Sequence, residues 1–347
     1  MKISFIIPVY NCCQHLNNCL QKIRDVKLLN YEIILIDDGS TDDSSVICDE
    51  WVSKYKEIKC IHQQNQGVSA ARNRGLDMAT GDYVIFFDAD DSFDPEQLHT
   101  LIQKLEIEPN IDMAIFGMSF DYYHKRKIYR RDELKTPLAG IYDREIWMGQ
   151  ILELYRENSL SPIWNKIFRR DLLNRKKLYL REDMFIYEDL EFSLRCMLCC
   201  KYILFEPAVI YQYRQSEDEG NAGRRLKRIE HISIVVNQIE KVLNDCMDFQ
   251  NSKALQEKKK ELLLVLYVVL AKEKISISNK KEILVICDDF TKWYRDKNYQ
   301  SEDMFINKLL NHQVTWLITK RVYISIRHKI AIAVKNTFLY QKWRGQV

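Results

Sequence analysis

Glycine is scarce in this chain, ten residues in 347, and none sits in the patterns that cradle phosphates in the common nucleotide folds. No GxGxxG follows the first strand-like segment and no GxxxxGK[ST] occurs, which excludes a dinucleotide fingerprint and a P-loop. Long apolar runs are also missing. The longest, LLLVLYVVLA at 262–271, is far too short to span a bilayer and suits a buried helix. A formal net charge of only +3 gives no electrostatic reason to invoke nucleic acid. The opening MKISFIIPVYNCC has one lysine and no small-residue cleavage site, so the expectation is a cytoplasmic chain whose ten cysteines are reduced thiols. CMLCC (Cys196, Cys199, Cys200) lies within an apolar helical pattern and has no matching second pair, which favours buried thiols over zinc. Acidic residues end at Asp303, although Lys308, Lys320, Arg321, Arg327, Lys329, Lys335, Lys342 and Arg344 all follow it.

What is present is globular: 46% hydrophobic and 29% charged residues, with ample material for a core. The first part alternates strand and helix signals. ISFIIPV, YEIILID, IKCIHQ and GDYVIFF read as strands. Between them, QHLNNCLQKI places Leu16, Cys19, Leu20 and Ile23 on one helical face, and SSVICDEWVSKY and VSAARNRGLDMA continue the alternation. Gly81 stands in the position of a helix C-terminal breaker, and Pro95 in the first turn of a following helix. DMAIFGMSF adds a strand, HKRKIYRRDEL an exposed hairpin or loop, and YILFEPAVIYQYR one or two strands broken at Pro207. Apolar strands interleaved with helices predict an α/β fold with a doubly wound, mostly parallel sheet.

Ligands of such sheets bind where strands end at the carboxyl edge. Three strands finish there in polar tips: Pro8-Val9-Tyr10-Asn11, Asp37-Asp38-Gly39-Ser40, and the run Asp88, Asp90, Asp91. Carboxylates this close repel and resist desolvation unless a positive partner sits among them. In an extended strand end, Asp88 and Asp90 would point the same way, roughly 6–7 Å apart. One hard divalent cation, held by one or two carboxylates with phosphate oxygens and water, suits that arrangement, as Mg²⁺ and Mn²⁺ do. The plainer alternative is a solvated acidic turn capping the helix that begins near Pro95.

FIIPVYN, IDDGSTDDS, NQGVSAARNRGL and GDYVIFFDADD, in that order over residues 3–120, resemble the family-2 glycosyltransferases. The likeness extends more loosely through WNKIFRR and YEDLEF to about residue 214. It implies a GT-A-like fold and an inverting transfer from a nucleotide-sugar donor, with UDP favoured over dTDP and GDP, to a saccharide or lipid-linked saccharide of the kind used in bacterial surface polysaccharides. By the resemblance, Pro8, Val9 and Tyr10 would line the nucleobase pocket, and Asp38 would accept from the base ring N–H, its alternative being a turn former before Gly39. Of Arg72 and Arg74, Arg72 is favoured as the one facing the nucleotide. Asp88 would contact the ribose or sugar, and Asp90, with Asp91 as substitute, a Mn²⁺ or Mg²⁺ ion. Asp189 would be the general base with Glu188 beside it on the acceptor side, although acids also suit a helix N-terminus. Trp164, Asn165 and Lys166 would form the acceptor-side segment, with Trp164 equally suited to sugar stacking or to the core. Some relatives supply a late histidine to the metal, and here none lies between His124 and His231.

The expected organisation is a catalytic domain over 1–215, divided into a nucleotide-sugar half (1–110) and an acceptor and base half (111–215), then a helical extension over 216–347. The acid-free stretch VYISIRHKIAIAVKNTFLYQKW mixes aromatic, aliphatic and basic residues, which suits a helix lying on anionic lipid at the inner face of the membrane or one packed on the catalytic domain. Two rival functions share the motifs. A sugar nucleotidyltransferase would need a glycine-rich basic loop after the first strand, which PVYNCCQHL lacks. A non-catalytic nucleotide-sugar-binding module would not need Asp88, Asp90 and Asp189 intact.

Overall fold

A computed structural model describes residues 1–124, 127–184, 186–215, 231–245, 251–278, 280–297, 299 and 304–312. The basic stretch beyond residue 312 lies outside them. By compactness the described residues up to 215, with those between 242 and 259, form one unit; those from 231 to 241 and from 260 onward form another.

The first unit is built on a ten-stranded sheet. Its strands are β1 (Ile3–Val9), β2 (Tyr31–Asp37), β3 (Ile58–His62), β4 (Tyr83–Phe86), β5 (Ser92–Phe93), β6 (Met113–His124), β7 (Lys127–Leu134), β8 (Gly140–Asp143), β9 (Lys166–Arg169) and β10 (Tyr202–Gln215). The main path runs β3-β2-β1-β4-β9-β6-β10-β5. Strands β1, β2, β3, β4, β6 and β10 all point one way, with β9 inserted antiparallel between β4 and β6. The mostly parallel, doubly wound expectation therefore holds. The HKRKIYRRDEL segment is a hairpin, β6 with β7, and the stretch around Pro207 is one strand whose pairing slips between Glu206 and Val209.

Helices α1 (Cys13–Asp25), α2 (Ser44–Lys54), α3 (Val68–Met78) and α4 (Pro95–Ile107) join the first strands. On α1 the buried residues are the Leu16, Cys19, Leu20 and Ile23 stripe read from its spacing. Pro95 opens α4, with Asp94 capping it by accepting from the Glu96 and Gln97 N–H groups at 3.0 Å. On α3 seven of eleven residues are buried, among them Ser69, Ala70, Ala71, Arg72 and Gly75. Gly75 brings this helix hard against β1: a Cβ there would stand 2.3 Å from Ile6 Cγ2. After the short helices α5 (Arg144–Gly149), α6 (Ile151–Arg156) and α7 (Arg170–Lys176) comes α8 (Glu188–Cys199), which buries Leu190, Leu194 and Met197.

Beyond residue 230, helical segments fall at Ile232–Asn244, Lys253–Ile277, Lys280–Asp296 and Met304–Leu310, the last two wholly within the second unit. Tyr267 and Ser233 hydroxyls both donate to Asp289, the latter at 2.5 Å, over a core that includes Leu266, Leu270, Ile286, Phe290 and Trp293. No helix among the described residues is long and apolar enough to cross a membrane. The nine cysteines described are all free thiols.

Gly81 differs from its expected role. Helix α3 ends at Met78 with Ala79 already extended, so no glycine is required to stop it. What Gly81 provides is closeness, since a Cβ would lie 2.7 Å from both the N and the Oγ of Ser4 and 2.9 Å from Lys2 O. The neighbouring buried Glu32 accepts from Ser4 Oγ and Thr80 N at 2.7 Å, so this corner has little freedom to yield. Gly81→Ala should therefore lower stability by about 1–3 kcal/mol, the usual cost of overpacking, in equilibrium urea unfolding. An unchanged midpoint would contradict the close approach.

Candidate active site

The Asp88–Asp91 segment is not an extended strand end. Strand β4 stops at Phe86, and Asp91 N donates to Asp88 O at 3.2 Å to close a turn. The turn sends the three carboxylates into three different environments, which relieves the repulsion an aligned arrangement would create.

Asp88 is half-buried and accepts from Arg72 Nη2 at 2.8 Å through Oδ1. Asp90 is exposed. Asp91 points inward, where Oδ1 accepts from the Arg214 backbone N–H at 2.7 Å and Oδ2 from the Tyr211 hydroxyl at 2.6 Å. Burial, then the charges of Asp90 and Asp88, push the Asp91 pKa well above the carboxylate range. β5 pairs with Tyr211 and Gln212 just beyond the turn, so β10 grips the segment from both sides.

Arg72 is the positive partner that the carboxylate cluster requires. It lies on α3, its side chain 4% exposed, and its second terminal nitrogen, Nη1, donates to Asp189 Oδ1 at 2.9 Å. Burial opposes the charge, but Asp189 and then Asp88 outweigh it and hold the guanidinium above its ordinary pKa. Its Nε is buried without a hydrogen-bond partner. Asp189 stands in the first turn of α8, a helix entered through Tyr187 in the left-handed region (φ 60°). Glu188 beside it is buried.

Below Asp189 lies the segment expected on the acceptor side. Lys166 is fully buried and donates to Pro162 O and, at 2.9 Å, to Asn165 Oδ1. Burial pulls its pKa down to about 7 against the opposing pull of Asp189. Asn165 is buried too, its side chain donating to Phe116 O at 3.3 Å. Trp164, 6% exposed, stacks on Tyr211 with ring centroids 4.2 Å apart and on Tyr213 at 5.5 Å. Of its two expected uses, the core one is occupied: the ring braces the tyrosine that holds Asp91.

On the nucleobase side, Tyr10 is 53% exposed and Pro8 half-buried, whereas Val9 is wholly buried. Asp38 is also buried. Its Oδ1 accepts from Gln63 Nε2 and Gln66 N, and its Oδ2 from Gly67 N, all at 2.8 Å. It thereby fixes the loop that leads into α3 and sets where Arg72 begins. Sequence reasoning missed His62, whose Nδ1 meets Asp37 Oδ2 at 2.7 Å and whose pKa rises to about 9, chiefly through Asp37. It also missed Tyr211 and Arg214. The period-two spacing of IYQYR, which puts Tyr211 and Tyr213 on one face, was the available signal.

Among the described residues no three His, Cys, Asp or Glu side chains form a ready cage for a metal. The donor chemistry nonetheless suits a hard divalent ion held mainly by phosphate and water, with the exposed Asp90 as the protein carboxylate. Asp91 suits that purpose poorly, because it is 6% exposed and points inward, each oxygen accepting a hydrogen bond from β10. Asp91→Ala should accordingly lower stability by about 1–3 kcal/mol in urea unfolding without metal or nucleotide, since a buried N–H and a buried hydroxyl lose their acceptor. A residue that served only as a metal ligand would leave the metal-free stability unchanged.

Comparison with known proteins agrees with this geometry. Residues 4–175 match the model of Glycosyl transferase family 2. The chain is 27% identical to the cholesterol galactosyltransferase of Borreliella burgdorferi, over 74% of this chain and 73% of that one. It is 28% identical to the uncharacterized glycosyltransferase YibD of Escherichia coli, over 68% and 71%. In structure it resembles S. aureus TarS 1-349 in complex with UDP-GlcNAc, with a TM-score of 0.53, 17% identity and coverage of 91% of this chain and 89% of that one. It also resembles the mannosyltransferase PcManGT of Pyrobaculum calidifontis in complex with GDP-Man and Mn²⁺, with a TM-score of 0.51, 16% identity and coverage of 97% and 87%. With residues 4–175 matching the family model, four family motifs in order and a GT-A-like sheet, the chain belongs to glycosyltransferase family 2 and is a glycosyltransferase.

Proposed function

We propose that this glycosyltransferase inverts configuration, moving a sugar from a nucleoside diphosphate, UDP foremost, to a saccharide or lipid-linked saccharide hydroxyl. The observation that carries the reading is the pair of contacts made by Arg72, 2.8 Å to Asp88 and 2.9 Å to Asp189. One guanidinium joins the turn that ends the nucleotide half to the helix that presents the candidate base.

In a single displacement the acceptor oxygen forms a bond to the anomeric carbon as the bond to the diphosphate oxygen breaks, and that oxygen leaves with the electron pair. Asp189 takes the acceptor hydroxyl proton; Glu188 lies beside it, and Asn165 and Lys166 buttress this side from below. Asp88 contacts the donor ribose or sugar, and Tyr10, with its exposed ring, offers a stacking face for the base. Asp38 Oδ2 has one partner and keeps acceptor capacity for a base N–H. When bound at Asp90, Mg²⁺ or Mn²⁺ supplies charge stabilisation on the departing diphosphate. Asp91 anchors the turn from within. The UDP-GlcNAc, GDP-Man and Mn²⁺ in the two structural relatives support a nucleotide-sugar donor and a divalent ion. The division into a catalytic domain over 1–215 and a helical extension over 216–347 belongs to this reading, as does peripheral contact of the basic tail with the inner membrane face.

Asp189→Asn should lower transfer by about 10²–10⁴-fold, the range typical of a lost general base, with UDP affinity by calorimetry within about twofold. Normal turnover in this variant would remove Asp189 from the chemistry. Asp90→Asn should abolish the dependence of transfer and donor hydrolysis on added Mn²⁺. A metal titration indistinguishable from that of the unaltered protein would assign the ion elsewhere.

A further inference from the structure

Arg72 lies in the motif NQGVSAARNRGL, which belongs by sequence to the nucleotide half, and it was expected to face the nucleotide. The structure places it differently. Its side chain is 4% exposed, and its two terminal nitrogens are spent on Asp88 and Asp189. The nitrogen left over, Nε, is buried without a partner. A donor molecule entering from the sheet edge would meet the exposed Asp90 and Tyr10, whereas Arg72 lies beneath that surface.

We propose that Arg72 is a positioning residue for the catalytic base. It holds Asp189 in orientation and as a carboxylate, and through Asp88 it ties that orientation to the turn that receives the donor. Three features of the molecule favour this over a donor contact. First, the path from the donor motif to the base is short and rigid. Asp38 clamps the backbone of residues 66 and 67, α3 begins at Val68, and Gly75 seats that helix directly on β1. Second, Asp189 lies in the first turn of a helix that carries Glu188 and Glu191 in the same turn. Glu191 is answered within its own helix, by Arg195 at 2.8 Å, and Arg72 donates to Asp189 at 2.9 Å. Third, the buried cation Lys166 also lies near Asp189, but its ammonium donates to Pro162 O and Asn165 Oδ1. The charged groups around the base are thus Arg72 from α3, Asp88 from the turn after β4, Lys166 from β9, and Glu188 and Glu191 from α8 itself. Among them Arg72 supplies the direct contact.

The sign of the effect is fixed. Removing a cation from beside a carboxylate favours the protonated form, so the acid limb of the rate profile should move to higher pH. The proposal rests on Asp189 being the base, and the test separates the two ideas. In Arg72→Gln, kcat should fall about a hundredfold, the acid limb of kcat should rise by about one pH unit, and UDP affinity should stay within about threefold of the parent. Arg72→Lys keeps the charge but loses the second arm, and should recover about tenfold of the lost kcat with the limb near its original place. If UDP affinity in Arg72→Gln instead falls in step with kcat/KM and the limb stays put, Arg72 is a donor contact and the proposal is overturned. A lysine variant no better than the glutamine one, when both melt at the parent's temperature, overturns it as well. Should Arg72→Gln not fold, the Arg72→Lys limb and UDP affinity decide the question alone. If Asp189→Asn turns over normally, it is the assignment of the base that fails.

Discussion

A carboxylate-rich sheet edge must be neutralised from below, and the structure of the catalytic unit follows from how that is done. Asp88, Asp91 and Asp189 all come from elements that end or begin at this edge, and close negative charges in a partly desolvated place are costly. One buried guanidinium, reaching Asp88 and Asp189 at 2.8 and 2.9 Å, removes most of that cost while leaving Asp90 exposed. Arginine suits the task better than lysine, because its planar fork serves two acceptors at once and keeps its proton when buried.

Placing that guanidinium depends on residues with no chemistry of their own. Ala70, Ala71 and Gly75 let α3 lie close on the sheet, and Asp38 fixes the loop that starts it. Asp38 is in turn supported by its neighbour Asp37, which is held by the imidazolium of His62 and by the Ser40 N–H at 3.0 Å. On the other side β9, inserted antiparallel, begins at Lys166 directly after Asn165 and packs Phe168 against Phe192 of α8.

The alternation of apolar strands and amphipathic helices was legible because burial in a parallel sheet leaves a strong pattern, as the α1 stripe at Leu16, Cys19, Leu20 and Ile23 shows. The convergence of the three polar strand tips was legible for the same reason, since the direction of parallel strands decides which ends meet. Which carboxylate faces which partner was not. Asp88, Asp90 and Asp91 are chemically alike in sequence, and only the turn closed by Asp91 N to Asp88 O distributes them. Arg72 looked like a surface or ligand residue because nothing local shows that Asp189, 117 positions away, will cover it. Gly81 was misread because a steric need for closeness to Ser4 leaves the same mark in sequence as a need for a left-handed backbone.

The different fates of the three aspartates show how one short motif serves several ends at once. Environment alone separates them: an ion pair for Asp88, an exposed position for Asp90, and a tyrosine hydroxyl with a backbone N–H for Asp91. The buried aspartate makes the exposed one useful. Asp91 ties the turn to β10, whose Tyr211 is itself backed by the Trp164 ring at 4.2 Å and accepts from the Asp88 N–H at 3.3 Å. Under the proposed metal role, a carboxylate that meets a hard cation gains from being held in advance, because the entropy of ordering the loop is then lost on folding and not on binding. By the same logic Trp164, through Tyr211 and Asp91, ties the segment before β9 to the turn after β4, while Arg72 ties that turn to α8. Two independent braces restrict how these segments can shift against one another, which holds the carboxylates of this edge in fixed relative positions.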